Sequence, residues 1–281
     1  MQSGPRLARW LLLIFLAILL GAAAPGGAAA LRNAVSVTAI TLDGFAISWG
    51  DRRILIDALH RAAAYGVTPA IETAMREALP PFDADLVLVT HEHIDHFIAD
   101  VVADNLRANP KAVLVSSPVV IDAVRAIFPE LEEGRFVALS PTLDRKVQIT
   151  VAGVRIEAFN SPHGIPAVLN LAFLLDLGGH LFFHPGDLVG MTTDGSDPST
   201  RLFDLGGQSL DLAFVPYWFL SEPSCHGFVR REMAARYLIP MHGSPRKLEA
   251  MLHRVASPSF PNLVFFENVL DTWVLPERDR P

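Results

Sequence analysis

Apolar positions fall in short alternating or continuous runs, cut apart by turns rich in glycine, proline and aspartate. Val35–Ile40, Phe45–Trp49 and Arg53–Asp57 read as three strands with tight turns between them. Pro69–Leu79 reads as a helix that stops at Pro80-Pro81. The run Asp85–Thr90, rich in valine, predicts a buried strand. Ile94–Ala108 then has helical spacing, with Ile94, Phe97, Ile98, Val101 and Leu106 mostly on one side. A strand over Ala112–Ser116, a helix over Pro118–Phe128 with proline in its first turn, and a strand over Arg135–Leu139 follow.

A second half starts with Lys146–Val151 and Val154–Phe159, an apparent hairpin around Ala152-Gly153. Leu169–Leu177 and His180–His184 pair around Gly178-Gly179, and Leu210–Val215 is another short strand. Cys225–Tyr237 and Pro245–Val255 read as helices, and Asn262–Phe266 as a late strand. Each half thus offers hairpin strands and then strands alternating with helices. Sheet packed on sheet with helices outside would make a four-layered αββα sandwich, an α/β (α+β) fold.

The first thirty residues stand apart. Arg6 and Arg9 precede the apolar run Trp10–Leu20, and small residues end in Ala28-Ala-Ala30. That order reads as an export signal over residues 1–30, cleaved before Leu31, with a mature domain over 31–281. The run is shorter than the roughly 20 residues a membrane span needs. The expected location is therefore periplasmic or secreted, with membrane contact only through the signal segment if it stays uncleaved.

The whole chain carries 23 basic and 30 acidic residues, and losing Arg6 and Arg9 makes the balance more acidic still. Nucleic acid, which needs clustered lysine and arginine, is disfavoured as a partner, and a small-molecule substrate is expected instead. Cys225 is the single cysteine, so no disulfide can form within the chain.

Candidate chemistry concentrates in His91-Glu-His93-Ile-Asp95-His96, on the loop leaving the Asp85–Thr90 strand. Borderline-soft divalent metals take neutral imidazole and carboxylate ligands, and this loop supplies four. Three more polar residues stand where an apolar run gives way to a loop: His163, Asp187 and His242. Each has glycine beside it or one residue away, which lets the backbone turn sharply.

His91-x-His93-x-Asp95-His96, the lone His163, Gly186-Asp187 and Met241-His242-Gly243 together resemble the metallo-β-lactamase-fold superfamily. The likeness runs over nearly all of residues 31–281 and includes the strand ending Ile54-Leu-Ile-Asp57. It implies the αββα sandwich with a metal site in the cleft at its edge. His91, His93 and His163 would bind a first ion; Asp95, His96 and His242 a second, with Asp187 bridging. The implied cofactors are two divalent ions, zinc first, with Mn2+ or Fe2+ as alternatives. Two dications sharing a water ionise it near neutrality, and Asp95 can orient or receive a proton. Asp95 and Asp187 are the catalytic candidates. Diiron redox members of the fold usually carry glutamate where this chain has His93, so histidine there favours hydrolysis. Within the hydrolases the chain is similar to the group containing ascorbate-phosphate lactonases and N-acyl-ethanolamine-phospholipid phosphodiesterases. The expected activity is hydrolysis of a small ester, lactone, amide or phosphodiester. The alternatives are a mononuclear iron persulfide dioxygenase and a non-catalytic metal- or partner-binding protein.

Other residues are weaker candidates. Glu92 reads as a solvated or hydrogen-bonded loop residue, and His60 as an exposed helix residue. His184 either reaches the cleft or finishes its strand in the core. His226 beside Cys225 raises a Cys-His nucleophile, which adjacent positions disfavour. His180 and His253 read as turn and helix-surface residues. Tyr217–Leu220 reads as an apolar loop that packs in the core or walls the site. Thr192–Ser199 reads as a flexible loop.

Overall fold

The computed structural model describes residues 34–61, 66–189, 202–244, 248–250, 252, 256 and 258–278. Among these, two sheets pack face to face. The first contains β1 (Val35–Ala39), β2 (Phe45–Trp49), β3 (Arg52–Ile56), β4 (Leu86–Leu88), β5 (Val113–Ser116), β6 (Phe136–Ala138) and β13 (Thr272–Val274). Their order is β13-β1-β2-β3-β4-β5-β6. The second contains β7 (Val147–Val151), β8 (Val154–Ser161), β9 (Asn170–Leu177), β10 (His180–His184), β11 (Leu210–Pro216) and β12 (Ala235–Met241), in the order β12-β11-β10-β9-β8-β7.

Side-chain alternation explains the layering. Ile54, Ile56, Leu86 and Leu88 point between the sheets and meet Ile156, Phe173, Leu175 and Phe214. Their neighbours Leu55 and Val87 point the other way, under the helices of the first half. Those helices are α1 (Pro69–Arg76), α2 (Ala99–Ala108) and α3 (Pro118–Ile127). On the far side of the second sheet, Leu174, Phe183 and Val215 face α4 (Tyr217–Ser221) and α5 (His226–Glu232). The result is the expected αββα sandwich. Burying one such leucine or phenylalanine is worth about 1.5–3 kcal/mol, so these three apolar layers dominate stability.

Local chemistry sets the element ends. Thr68 and Ser117 cap α1 and α3 through their hydroxyls, each with proline in the first turn. Helix α2 begins at Ala99 rather than Ile94, because the backbone first makes a tight turn. The amides of His96 and Phe97 both donate to the His93 carbonyl, and Ile98 is extended.

Two expectations need correction. The helix expected over Cys225–Tyr237 stops at Glu232, and Ala235–Tyr237 already belong to β12, paired in parallel with β11. Val229 and Met233 are buried helix-fashion, but Tyr237 and Leu238 complete the sheet. Asn262–Phe266 forms only a single bridge, Leu238 to Leu263. The final strand, β13, pairs instead with β1 in the first sheet. Residues 1–30, Thr192–Ser199, His253 and much of the Pro245–Val255 helix lie outside the described residues. Among the described residues no helix is long and apolar enough to cross a membrane.

Strand direction gathers the loops. β1, β3, β4 and β5 run the same way, since β1 and β3 are each antiparallel to β2 and β3, β4 and β5 are parallel. Their C-terminal ends therefore share one edge, where the turn after β1, Asp57 after β3 and His91 after β4 emerge. The Leu171 amide donates to the Thr90 carbonyl, tying the start of β9 in the second sheet to this edge.

Candidate metal centre

The four sequence-predicted loops converge on that edge in two groups. His91, His93, His163 and Asp187 form one; Asp95, His96 and His242 form the other, joined by Asp43. Within each group the potential ligand atoms all lie within 4.8 Å of one another. The rings of His91, His93 and His163 make a nearly equilateral triangle, with centroids 4.6–4.7 Å apart. Asp187 spans the groups: one carboxylate oxygen lies 3.3 Å from His163 Nε2 and the other 3.4 Å from His242 Nε2. Asp95 Oδ2 lies 3.9 Å from His242 Nε2.

The surrounding chain fixes which nitrogens face inward. Asp57 is fully buried and accepts from the Thr90 amide at 2.8 Å and the Thr90 hydroxyl at 2.7 Å. With its proton committed to Asp57, the Thr90 hydroxyl accepts from His91 Nδ1–H at 3.0 Å. His96 Nδ1–H donates to Asp57 Oδ2 at 2.9 Å. Both imidazoles are left with Nε2 turned into the site, where a bound cation can take the place of a proton. Asp187 is placed by its own amide, which donates to Asn170 Oδ1 at 3.2 Å. Gly186 allows this with φ +62°; a Cβ there would stand 2.2 Å from Asn170 Oδ1. His242 itself takes a left-handed backbone, φ 69°, and its amide donates to the Leu42 carbonyl.

The donor set fits metal ions. His91 Nε2, His96 Nε2, His242 Nε2, both His163 nitrogens, Asp187 Oδ1 and both Asp43 oxygens are buried without a hydrogen-bond partner. Unpaired buried polar atoms are costly, and so many gathered in two neighbouring groups are the signature of a cation-binding centre. Burial, reinforced by the neighbouring imidazoles, holds His91 well below the usual histidine range, the neutral form a metal requires. Burial likewise lowers His163. Burial opposes a charge on His96 and His242 too, but the carboxylates around them win: Asp43 and Asp57 raise His96, and Asp187 and Asp43 raise His242. Burial raises Asp43.

Asp43 was not anticipated from the sequence, and its signal is topological. It sits in the Ile40–Gly44 turn between β1 and β2, at the same edge as the histidine loop. Gly44 is required there, because a Cβ would stand 2.4 Å from Thr41 Oγ1 and 2.6 Å from the Asp57 carbonyl oxygen.

The weaker candidates resolve differently. His60 is buried, not an exposed helix residue; it pairs with the Thr41 hydroxyl at 2.8 Å. His184 finishes β10 in the core, accepting from the Gly186 amide and facing the Asp43 carbonyl at 3.4 Å. His226 Nε2–H donates to the Leu220 carbonyl and the ring packs edge-on against Phe260, so it is held by the fold. His180 opens β10 and lies 3.5 Å from the buried Asp211. Glu92 is half-buried. Tyr217–Leu220 is not a loop: it forms most of α4, with Phe219 and Leu220 in the core. Trp218 packs edge-on to His242 at 4.8 Å and donates to the Leu188 carbonyl, so it walls the site.

Comparison with known proteins agrees with the fold. Among solved structures, the chain is similar to Igni18, a novel metallo hydrolase from the archaeon Ignicoccus hospitalis, at TM-score 0.62 and 15% identity, covering 87% of this chain and 100% of that one. It is similar to the metallo-β-lactamase fold protein YhfI from Bacillus subtilis at TM-score 0.57 and 14% identity, covering 86% and 100%. CmlA, a diiron β-hydroxylase from Streptomyces venezuelae, matches at TM-score 0.52 and 12% identity over 89% of this chain and 54% of that one. No curated protein matches the sequence. The family model described as the beta-lactamase superfamily domain matches residues 52–251, and the chain belongs to that family, with the metallo-β-lactamase fold.

Proposed function

We propose that the chain is an exported, metal-dependent hydrolase holding two divalent ions between its paired clusters. The convergence of unpartnered imidazole nitrogens and carboxylate oxygens on one buried centre carries this reading. His91, His93 and His163 would hold the first ion, and Asp95, His96 and His242 the second, with Asp187 shared. An imidazole-rich first site suits zinc, and the carboxylates of the second also suit Mn2+ or Fe2+. When bound, the ions lower the pKa of a water toward neutrality and polarise the bond to be cleaved.

The chain's own residues supply the rest. Thr90 and Asp57 lock His91 and His96 with Nε2 inward, so little reorganisation is needed. Asp95, with a side chain 24% exposed, borders solvent and can accept or pass a proton there. Trp218 gives the cleft an apolar wall beside His242, suited to the carbon skeleton of a small ester, lactone, amide or phosphodiester. Each four-residue group offers ligands for one ion, as a two-ion hydrolase needs; a mononuclear iron persulfide dioxygenase of this fold keeps the same histidines, so metal count and reaction separate the two. The signal-like residues 1–30 support export to the periplasm or beyond.

Metal-loaded protein screened against chromogenic esters, lactones, phosphodiesters and β-lactams tests the reaction class. Hydrolysis of one class that is lost on chelation supports it. Oxygen uptake with a persulfide and a single iron would replace it with the dioxygenase reading, and binding without any turnover would leave a non-catalytic metal protein.

A further inference from the structure

The position of Asp43 relative to His96 separates two roles that a carboxylate can play beside a metal-binding histidine. A carboxylate that orients the ring bonds the nitrogen facing away from the metal, as Asp57 Oδ2 does at His96 Nδ1. Asp43 is on the opposite side. Its Oδ2 lies 3.8 Å from His96 Nε2 and 3.9 Å from His242 Nε2, the atoms turned toward the second ion. Those separations are too long for hydrogen bonds. They match atoms that share an ion: two ligands each about 2.1 Å from one metal stand at most about 4.2 Å apart. Asp43 is fully buried, and neither oxygen has a hydrogen-bond partner. A buried carboxylate in that state costs stability unless a cation completes it.

Resting on the two-ion reading above, we propose that Asp43 is a ligand of the second ion. That site then offers two imidazoles and the carboxylates of Asp43, Asp95 and Asp187, an oxygen-rich set suited to hard ions such as Mn2+. The first site keeps three imidazoles and one carboxylate. The two positions therefore differ in chemistry, and the turn between β1 and β2 becomes part of the metal centre.

Calorimetric titration of the metal-free full chain with Mn2+, with free Mn2+ counted by electron paramagnetic resonance, tests this. The wild type should take up two equivalents. Asp43→Asn should keep one equivalent at wild-type affinity and bind the other at least tenfold more weakly, while its metal-free form melts no lower than the wild type. Asp43→Ala, read in the same titration, serves if Asp43→Asn does not fold. His163→Ala should show the converse, losing affinity for the equivalent that Asp43→Asn retains. Two unchanged equivalents in Asp43→Asn or Asp43→Ala would overturn the role of Asp43 and leave the two-ion reading standing. A wild type that takes up fewer than two equivalents would overturn both.

Discussion

His96 Nδ1 and Asp57 Oδ2 stand 2.9 Å apart with both side chains fully buried, and the same oxygen accepts from the Thr90 hydroxyl that supports His91. One carboxylate at the end of β3 thus sets the tautomer of a histidine in each metal group. Asp57→Asn puts an amide donor among three donors and should weaken metal binding about 10–100-fold. Asp57→Ala leaves those buried donors unpaired and should also cost about 2–3 kcal/mol. Metal titration and denaturant unfolding read the two effects separately, and wild-type metal affinity in Asp57→Asn would refute the orienting role.

Asp187 reaches both groups, at 3.3 Å from His163 and 3.4 Å from His242. Asp187→Ala should lower metal content per chain and abolish turnover; a loss of at least about 100-fold is the minimum consistent with a shared ligand. Elemental analysis beside the rate on the best screened substrate checks this. An unchanged rate would rule out a bridging position.

Gly44 closes the turn that carries Asp43, and any Cβ collides with Thr41, the Asp57 carbonyl and Ala58 Cα. Two of those contacts are backbone, which cannot move aside cheaply. Gly44→Ala should destabilise the fold by about 1–3 kcal/mol and weaken metal binding at the same time. A variant with the wild-type unfolding midpoint would show that the turn yields more than its packing allows.

His60 and His184 are buried, and burial lowers each to about 4 from an ordinary value of 6.5. Above pH 6.5 both are neutral whether folded or unfolded, and they contribute no pH dependence. Between pH 6.5 and 4 the unfolded chain binds their protons first, so stability falls as pH falls, by roughly 1.4 kcal/mol per pH unit per histidine. Denaturant unfolding of the metal-free protein across that range should show the slope, and His60→Asn should flatten it. An identical slope in the variant would mean that His60 titrates normally.

Much of the site was readable because its first loop is contiguous. Three histidines and an aspartate within six residues leave few structural alternatives, and His163, Asp187 and His242 each follow an apolar run. Asp43 had no such context: an aspartate before glycine in a short turn is ordinary, and only the shared direction of β1 and β4 brings it to the metal edge. Helix α2 was misplaced at its start because Ile94 fits the apolar face of a helix yet is 75% exposed, carried outward by the turn that aims Asp95 and His96 inward. Ala235–Tyr237 continued the helical spacing of α5 although the sheet claimed it through pairing with β11, a long-range contact that no local pattern encodes. β13 is three residues long and owes its existence to β1. His60 looked exposed because nothing local announces the Thr41 hydroxyl that receives it.

Elemental analysis of the protein purified without chelators, paired with the hydrolysis screen before and after metal removal, tests the central claim most directly. Two divalent ions per chain, zinc among them, with hydrolysis that disappears on chelation and returns on reloading, is the predicted result. One iron per chain with oxygen consumption, or a chain that binds no metal while retaining its fold, would contradict it.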